Sequence, residues 1–452
     1  MYESSTLPAT TNPLEKPVVL ITGCSGLIGS RLIERLSGEY RIAGLDIQPP
    51  TSQAECTFFN CDLTEDDSVQ SVLAQVRDEF GARIASVVHL AAYYDFSGNP
   101  SPLYQTLTVE GTQRLIRALQ GMQVEQFVFS STLLVMKPSD SGEPITADSP
   151  VEAEWDYPKS KLETEKVLER DRGSIPTVVL RLAGVYDAMC HSVPIAQQIS
   201  RIHQKQLESY LFPGDKTHGQ SFIHLDDLMD CLHATINRRQ LLDPWEVLVI
   251  GEEDVMSYEE LQNKIGLLLH GEEWSTIWVP KFAAKAGAWV IDKFSREEQA
   301  FIKPWMIDLA DQHYPVDLRE ARQKLAWQPQ HSLRATLPAM IQNLVADPRH
   351  WYEENGLPLP KELQPQEQSS QRRSLGIACF QGSRFGKPGG SCHVRGGSML
   401  WLLREDDGDG HERCSKADSS APAARRDGTG PGDRPAYRPN PDPRRHRHAG
   451  DA

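Results

Sequence analysis

The chain has 452 residues and a formal charge of −15, from 47 lysines and arginines against 62 aspartates and glutamates. That balance disfavours nucleic acid and anionic membrane surfaces as partners. With no uninterrupted apolar run of about 18 residues, no membrane span is expected either. The eight cysteines include no C-x-x-C pair and no histidine spacing suited to zinc, so they are read as reduced and free in a cytoplasmic protein, with no metal site.

Residues 1–16 are polar, carry no charged segment followed by an apolar stretch, and are read as a disordered N-terminus without a signal peptide. From Pro17 to Met189 apolar strands alternate with amphipathic helices, which predicts a doubly wound parallel sheet. Val18-Val19-Leu20-Ile21 suits a buried parallel strand, and Ser30 to Leu36 has the apolar period of a helix. The stretch between them, Thr22-Gly23-Cys24-Ser25-Gly26-Leu27-Ile28-Gly29, is therefore a strand-to-helix turn. Its first glycine permits a tight bend, the second lets backbone N–H groups approach a pyrophosphate, and the third lets helix and strand pack closely. A dinucleotide is the expected guest. The next strand, Ala43-Gly44-Leu45-Asp46, ends in a carboxylate placed to accept from a ribose 2′-hydroxyl and repel a 2′-phosphate. No arginine follows in Ile47-Gln48, so NAD is favoured over NADP.

Thr57 to Leu63 reads as a third strand, where Asp62 serves either the cofactor or a following helix as its N-cap. Ser86 to Ala92 is a central strand whose end carries small residues, as a strand crossed by a cofactor requires, and His89 within it is read as a packed, structural histidine. Gln126 to Phe129 is a strand that leads into Ser130-Ser131-Thr132. Then comes Tyr157-Pro158-Lys159-Ser160-Lys161. Four residues apart on a helix, Tyr157 and Lys161 share a face. A neighbouring ammonium favours phenolate, so Lys161 is expected to lower Tyr157 from about 10 toward working pH. The tyrosine then acts as general base for an alcohol or general acid for a carbonyl.

The spacing G-x-x-G-x-x-G, His89-Leu90-Ala91-Ala92, the hydroxyl run to Thr132 and the Tyr157/Lys161 pair resemble the extended short-chain dehydrogenase/reductase superfamily, in its NAD-dependent epimerase/dehydratase family. Further matches are Val179 to Asp187, Gln220 to Leu228, Ser257 to Leu261 and Asp317 to Pro329, so the resemblance covers about Pro17 to Asn355. It implies a Rossmann-type α/β fold over 17–189 and a smaller, mainly substrate-binding region over 190–355, some of whose strands return to the sheet. It implies NAD held by Gly23, Ser25, Gly26, Leu27, Ile28, Gly29, Asp46, Asp62, Leu63, Ala91 and Ala92. Thr132, Tyr157 and Lys161 are implied as catalytic residues, Lys161 also holding the nicotinamide ribose. His224 and Asp227 are read as a strand end and a helix cap, Lys281 to Phe294 as a helix covering the substrate pocket. A homodimer through the helices after Thr112 and Tyr157 is implied by resemblance alone.

Departures narrow the reaction. Thr108 stands where the family usually has Asn, and Leu133-Leu134 where dehydratases place Asp-Glu, so elimination of water is not expected. Gln220 replaces an arginine that clamps nucleotide-sugar diphosphates, and Trp305 to Ala310 offers no second one. Lys303-Pro304-Trp305 instead resembles the 3β-hydroxysteroid dehydrogenase branch. The expected activity is NAD-dependent hydride transfer at a secondary alcohol or ketone of a small, sugar-like or less polar substrate. A non-catalytic NAD-binding scaffold would be marked by loss of the tyrosine or lysine, and both are present. From 364 to 452 the text is rich in Gly, Arg, Pro, Ser and Asp and is read as a disordered low-complexity tail.

Overall fold

The computed structural model describes residues 16–50, 55–95, 98–139, 142–294 and 303–364. Apart from Lys16 and Gln364, the two segments read as disordered lie outside the described residues, as does the second of the chain's two units, 382–452.

In chain order the elements are β1 (Val18–Thr22), α1 (Leu27–Leu36), β2 (Arg41–Asp46), β3 (Thr57–Asn60), α2 (Asp66–Phe80), β4 (Arg83–Ile84) and β5 (Ser86–His89). A π-helical stretch, Tyr104–Val109, runs into α3 (Glu110–Ala118), followed by β6 (Gln123–Val124), β7 (Phe127–Thr132), α4 (Asp156–Asp171), β8 (Thr177–Leu182) and β9 (Gly184–Tyr186). Then come α5 (Val193–His203), β10 (Leu211–Phe212), β11 (Phe222–His224), α6 (Leu225–Asn237), β12 (Trp245–Ile250), α7 (Tyr258–His270), β13 (Ile277–Trp278) and α8 (Lys281–Phe294). The described chain closes with α9 (Pro304–Leu309), α10 (Arg319–Leu325), α11 (Leu333–Ala346) and α12 (Pro348–Glu354).

Seven strands form one parallel sheet in the order β12-β8-β7-β5-β1-β2-β3. The strand order reverses between β1 and β5, where Thr22 is in register with His89. A crevice at the carboxyl ends of the strands opens at such a reversal, and the glycine turn leaves β1 there. β1 is buried along its whole length because the sheet is covered on both faces. Val19 and Ile21 face a cluster with Leu32, Ile33 and Leu36 of α1 and Leu228 and Leu232 of α6. Val18 and Leu20 face another with Val72 and Val76 of α2, Leu115 of α3 and Leu168 of α4. A third cluster, outside the sheet, joins Ile195, Ile199 and Ile202 of α5, Leu261 and Ile265 of α7, Leu337 and Ile341 of α11, and Trp351 of α12.

Local expectations shift in three places. β3 ends at Asn60, so Asp62 lies in the turn beyond it. Ser130 to Thr132 belong to β7 itself. The helix expected around Thr112 begins as the π-helical stretch, whose wider turn is a feature common at functional sites.

Candidate active site

The glycine turn is built as its spacing requires. Gly23 has φ +72°, and a Cβ there would stand 2.9 Å from the Ala91 nitrogen. A Cβ on Gly29 would collide with the Gly23 carbonyl oxygen, whereas one on Gly26 would meet only that oxygen, at 3.5 Å. α1 starts after Gly26 with no side-chain cap and no acidic residue in its first turn. Its orphan N–H groups and positive dipole end are thus left for an anion such as a pyrophosphate. The Asp46 carboxylate accepts from the backbone N–H groups of Ser25 at 3.1 Å and Ile47 at 2.8 Å, which ties the end of β2 to the turn. Ser25 Oγ donates to the Gln48 carbonyl. Leu27 is exposed and Ile28 part-buried on the opening of α1. These residues fit a dinucleotide: the turn is a cradle that side chains would fill, and the Asp46 carboxylate is tied to its rim through Ser25.

Asp62 does not cap α2, whose N-cap is Glu65. Its Oδ1 accepts from the backbone and hydroxyl of Thr64 at 2.8 and 2.7 Å, an Asx turn that sets the carboxylate beside buried Leu63. At the end of β5, Thr112 Oγ1 donates to the Thr108 carbonyl at 2.6 Å and so accepts from His89 Nε2 at 2.7 Å. His89 Nδ1 is then the acceptor for Thr22 Oγ1 at 2.7 Å, and Thr22 Oγ1 accepts from the Ala91 N–H at 3.3 Å. Burial holds His89 down at about 3. It is a neutral strut between β1, β5 and α3, and it orients the segment that continues into Ala91 and Ala92.

Thr132, Tyr157 and Lys161 come together at the carboxyl end of β7. The Thr132 hydroxyl, which accepts from the Leu134 N–H at 3.3 Å, is near enough to the Tyr157 phenol to favour its ionised form. Lys161 is buried and its ammonium donates to the Ser130 carbonyl at 2.7 Å, 4.9 Å above the Phe129 ring. Its Nζ is 6.0 Å from the centre of the Tyr157 ring. The electrostatics differ from the expectation: burial pushes Tyr157 up to about 12, with only the Thr132 hydroxyl opposing, and pulls Lys161 down to about 7. With its ammonium turned to Ser130 and weakened by burial, Lys161 does not lower the tyrosine here.

The space before Tyr157 has an aromatic wall that sequence spacing could not reveal. Tyr94 packs edge-on against Tyr157 at 4.9 Å, Trp155 lies 5.5 Å from Tyr157, and Trp305 of α9 lies 5.1 Å from Trp155. A Cβ on Gly98, φ +72°, would stand 2.5 Å from the Trp305 ring, so that glycine makes room for the indole. Thr108 Oγ1 accepts from the Tyr93 N–H at 2.9 Å, so the residue standing in place of Asn holds the loop that carries Tyr94. Elsewhere a cleft of about 600 Å³ is lined by Lys216, Glu259, Trp278, Lys281 and Asp311 among others. No residue of the Tyr157 group lines it, and both lysines are paired, Lys216 with Glu259 and Lys281 with Asp311, each at 2.6 Å.

The cap of α6 is His224, whose Nδ1 accepts from the Asp226 N–H at 3.2 Å, and not Asp227. Asp227 is buried and instead accepts from the backbone N–H groups of Gln330 at 3.0 Å and His331 at 2.9 Å. His224, Asp226 and His331 bring potential metal-ligand atoms within 4.8 Å of one another. Each is engaged already, Asp226 with Arg31 at 2.9 Å and His331 Nδ1 with Asp227 at 3.0 Å.

The chain is 28% identical over 159 residues to the N-acetyl-alpha-D-glucosaminyl-diphospho-ditrans,octacis-undecaprenol 4-epimerase of Escherichia coli O157:H7, covering 35% of this chain and 45% of that one. It is 28% identical over 239 residues to the human 3 beta-hydroxysteroid dehydrogenase type 7, covering 46% and 61%. It therefore spans about half the length of the curated relatives it matches. The UDP-glucuronic acid 4-epimerase from Bacillus cereus, solved with UDP-glucuronic acid and NAD, shares the fold with a TM-score of 0.53 at 20% identity, over 72% of this chain and 99% of that one. Among families, the model of the NAD dependent epimerase/dehydratase family matches residues 19–251, from β1 through β12, and this chain belongs to that family.

Proposed function

We propose that the chain catalyses NAD-dependent hydride transfer at a secondary alcohol or ketone, with Tyr157 as acid/base, Thr132 holding the reacting oxygen and Lys161 charging the site. The observation that carries this reading is the meeting of Thr132, Tyr157 and Lys161 at one strand end beside the glycine cradle. In the oxidative direction Tyr157 takes the hydroxyl proton while Thr132 keeps the oxygen in place. Lys161 would hold ribose hydroxyls and, when protonated, favour the phenolate. Gly23, Gly26, Gly29 and the first turn of α1 would hold the pyrophosphate, and Asp46 the adenosine ribose, with Ser25, Leu27, Ile28, Asp62, Leu63, Ala91 and Ala92 beside them. When bound, NAD supplies the hydride acceptor. Residues 190–355 are read as mainly the substrate region.

A substrate without a diphosphate is favoured by one observation. The wall facing Tyr157 is made of the aromatic rings of Tyr94, Trp155 and Trp305. Such a wall suits the face of an uncharged ring. Trp305→Ala is therefore expected to raise KM for a hydroxysteroid-like or other apolar alcohol about tenfold or more and to leave NAD affinity unchanged, read by steady-state kinetics and NAD titration. Turnover of nucleotide sugars alone would overturn this substrate class.

The test of the reading as a whole is the nucleotide content of the purified protein. Near-stoichiometric retained NAD supports a cofactor recycled in place and an epimerase. Reversible NAD binding supports a dehydrogenase. NADP alone would refute the role of Asp46, and no nucleotide binding would refute the reading altogether. A homodimer and a cytoplasmic location remain part of the same proposal, resting on the family resemblance and the cysteine pattern. Among the described residues no helix is long and apolar enough to cross a membrane.

A further inference from the structure

Among the described residues, exposed large apolar side chains are scattered one to an element or loop, as with Leu27, Val151 and Leu241, except along 277–289. There Ile277 and Trp278 of β13 are 64% and 61% exposed, and Phe282 and Trp289 of α8 are 77% and 52% exposed. Single apolar residues are ordinary on a folded surface, whereas a group of four marks a place of contact. α8 sorts its residues by side. Ala288 is buried, Lys281 pairs with Asp311 and Lys285 with Asp308 of α9, each at 2.6 Å, so this side lies against α9. Phe282, Ala286 and Trp289, spaced i, i+4 and i+7, share another side and are all exposed. A Cβ on exposed Gly287 would meet nothing within 4 Å. No charged residue stands at 282, 286, 287 or 289.

We propose that this side of α8, with the rim of β13, is a docking surface for a lipid bilayer of zwitterionic headgroups, on which the protein rests reversibly. Charge selects that occupant. The surface is neutral, its flanking lysines are cancelled by Asp308 and Asp311, and the chain carries −15 in all, so anionic headgroups are disfavoured and neutral ones are not. Size argues against a second copy. At their exposures the four side chains offer about 500 Å², whereas each copy in a stable dimer buries about 800 Å². Tryptophan and phenylalanine also suit the boundary between headgroups and acyl chains. With no cationic contribution the apolar area alone supplies the attraction, so the protein comes off again readily. The surface stands on exposure and charge. Its purpose rests on the hydride-transfer reading, in which α9, behind α8, carries Trp305 of the wall before Tyr157. An apolar alcohol dissolved in the bilayer would meet the protein on the side that carries that wall.

The test is flotation of the full-length protein with vesicles of phosphatidylcholine, alone or mixed with phosphatidylserine. The protein is expected to float with phosphatidylcholine and no better with the mixture. Trp278→Ser/Phe282→Ser removes roughly half of the exposed apolar area and is expected to bind about tenfold or more weakly. Gly287→Glu puts a carboxylate where there is room for it, and is expected to weaken binding likewise with no loss of melting temperature. Leu241→Ser, which removes an exposed apolar side chain outside the patch, is expected to bind as the parent does. No flotation with phosphatidylcholine, flotation only with phosphatidylserine, or binding unchanged in both patch variants would overturn the proposal. So would a parent dimer that Trp278→Ser/Phe282→Ser converts to a monomer in sedimentation velocity, since the surface then belongs to a second copy. Vesicle binding that is lost in these variants, in a protein that turns over no alcohol or ketone, would uphold the docking surface and refute the hydride-transfer reading instead.

Discussion

Burial holds the Tyr157 phenol at about 12 and the Lys161 amine at about 7, so in the structure as it stands the proton-accepting tyrosinate is scarce near neutrality. The site is therefore poised to donate a proton unless positive charge is strengthened beside the phenol. Tyr157→Phe removes the group that exchanges the proton and nothing from the cradle. Turnover is expected to fall by about a hundredfold to ten-thousandfold, with NAD affinity kept, as measured by steady-state rates and cofactor titration. Gly29→Ala should do the reverse. Its Cβ would collide with the Gly23 carbonyl, so the turn must open, costing about 1–3 kcal/mol of stability and most of the NAD affinity. Differential scanning calorimetry and the same titration separate the two effects. The residues behind both predictions were legible in the sequence because each role is set by local spacing: a glycine every third residue, a carboxylate at a strand end, a lysine one turn after a tyrosine. Tyr94 and Trp305 were not legible as a wall beside Tyr157, since what each does depends on partners from other elements that no spacing records.

At the scale of elements, helix ends show how the chain commits its buried acids. Glu252, following β12, accepts from the Leu333 N–H at 3.2 and 3.0 Å and from the Tyr186 hydroxyl at 3.1 Å, and so satisfies the start of α11. Burial pushes its carboxyl up to about 8, from an ordinary value of 4.5. A carboxyl whose folded value lies above its unfolded one retains its proton longer in the folded state, so stability falls as pH rises between the two values. The melting temperature is accordingly expected to decline from about pH 5 to about pH 8 through this group, and Glu252→Gln to flatten that decline in thermal scans. Its fixed partners belong to β9 and α11, far apart in the sequence. The sheet itself was readable from alternating apolar strands and helices. The π-helical stretch before α3 was not, because periodic apolar positions do not distinguish a widened turn from an ordinary one. Asp227 carried the same difficulty: a carboxylate in a helix's first turn reads as a cap, yet it anchors Gln330 and His331 from across the fold.

For the molecule as a whole, ligand binding is a statement about stability. If the cradle selects NAD through Asp46, a hundredfold excess of NAD over its Kd adds about 2.7 kcal/mol to the folded state. NADP at the same concentration is expected to add far less, and thermal unfolding with each nucleotide reads the difference directly. The third apolar cluster bears on a different matter. It is assembled from α5, α7, α11 and α12 with Tyr186 of β9 and Phe222 of β11, while α6 and β12, which intervene in the chain, pack on the large sheet. The chain thus passes into that cluster several times, and no pair of cuts releases it as one piece. A new specificity cannot be grafted onto this scaffold by exchanging a module, as it can where a recognition unit is a single insertion; it has to arrive by point substitution, with every pass of the chain keeping its place.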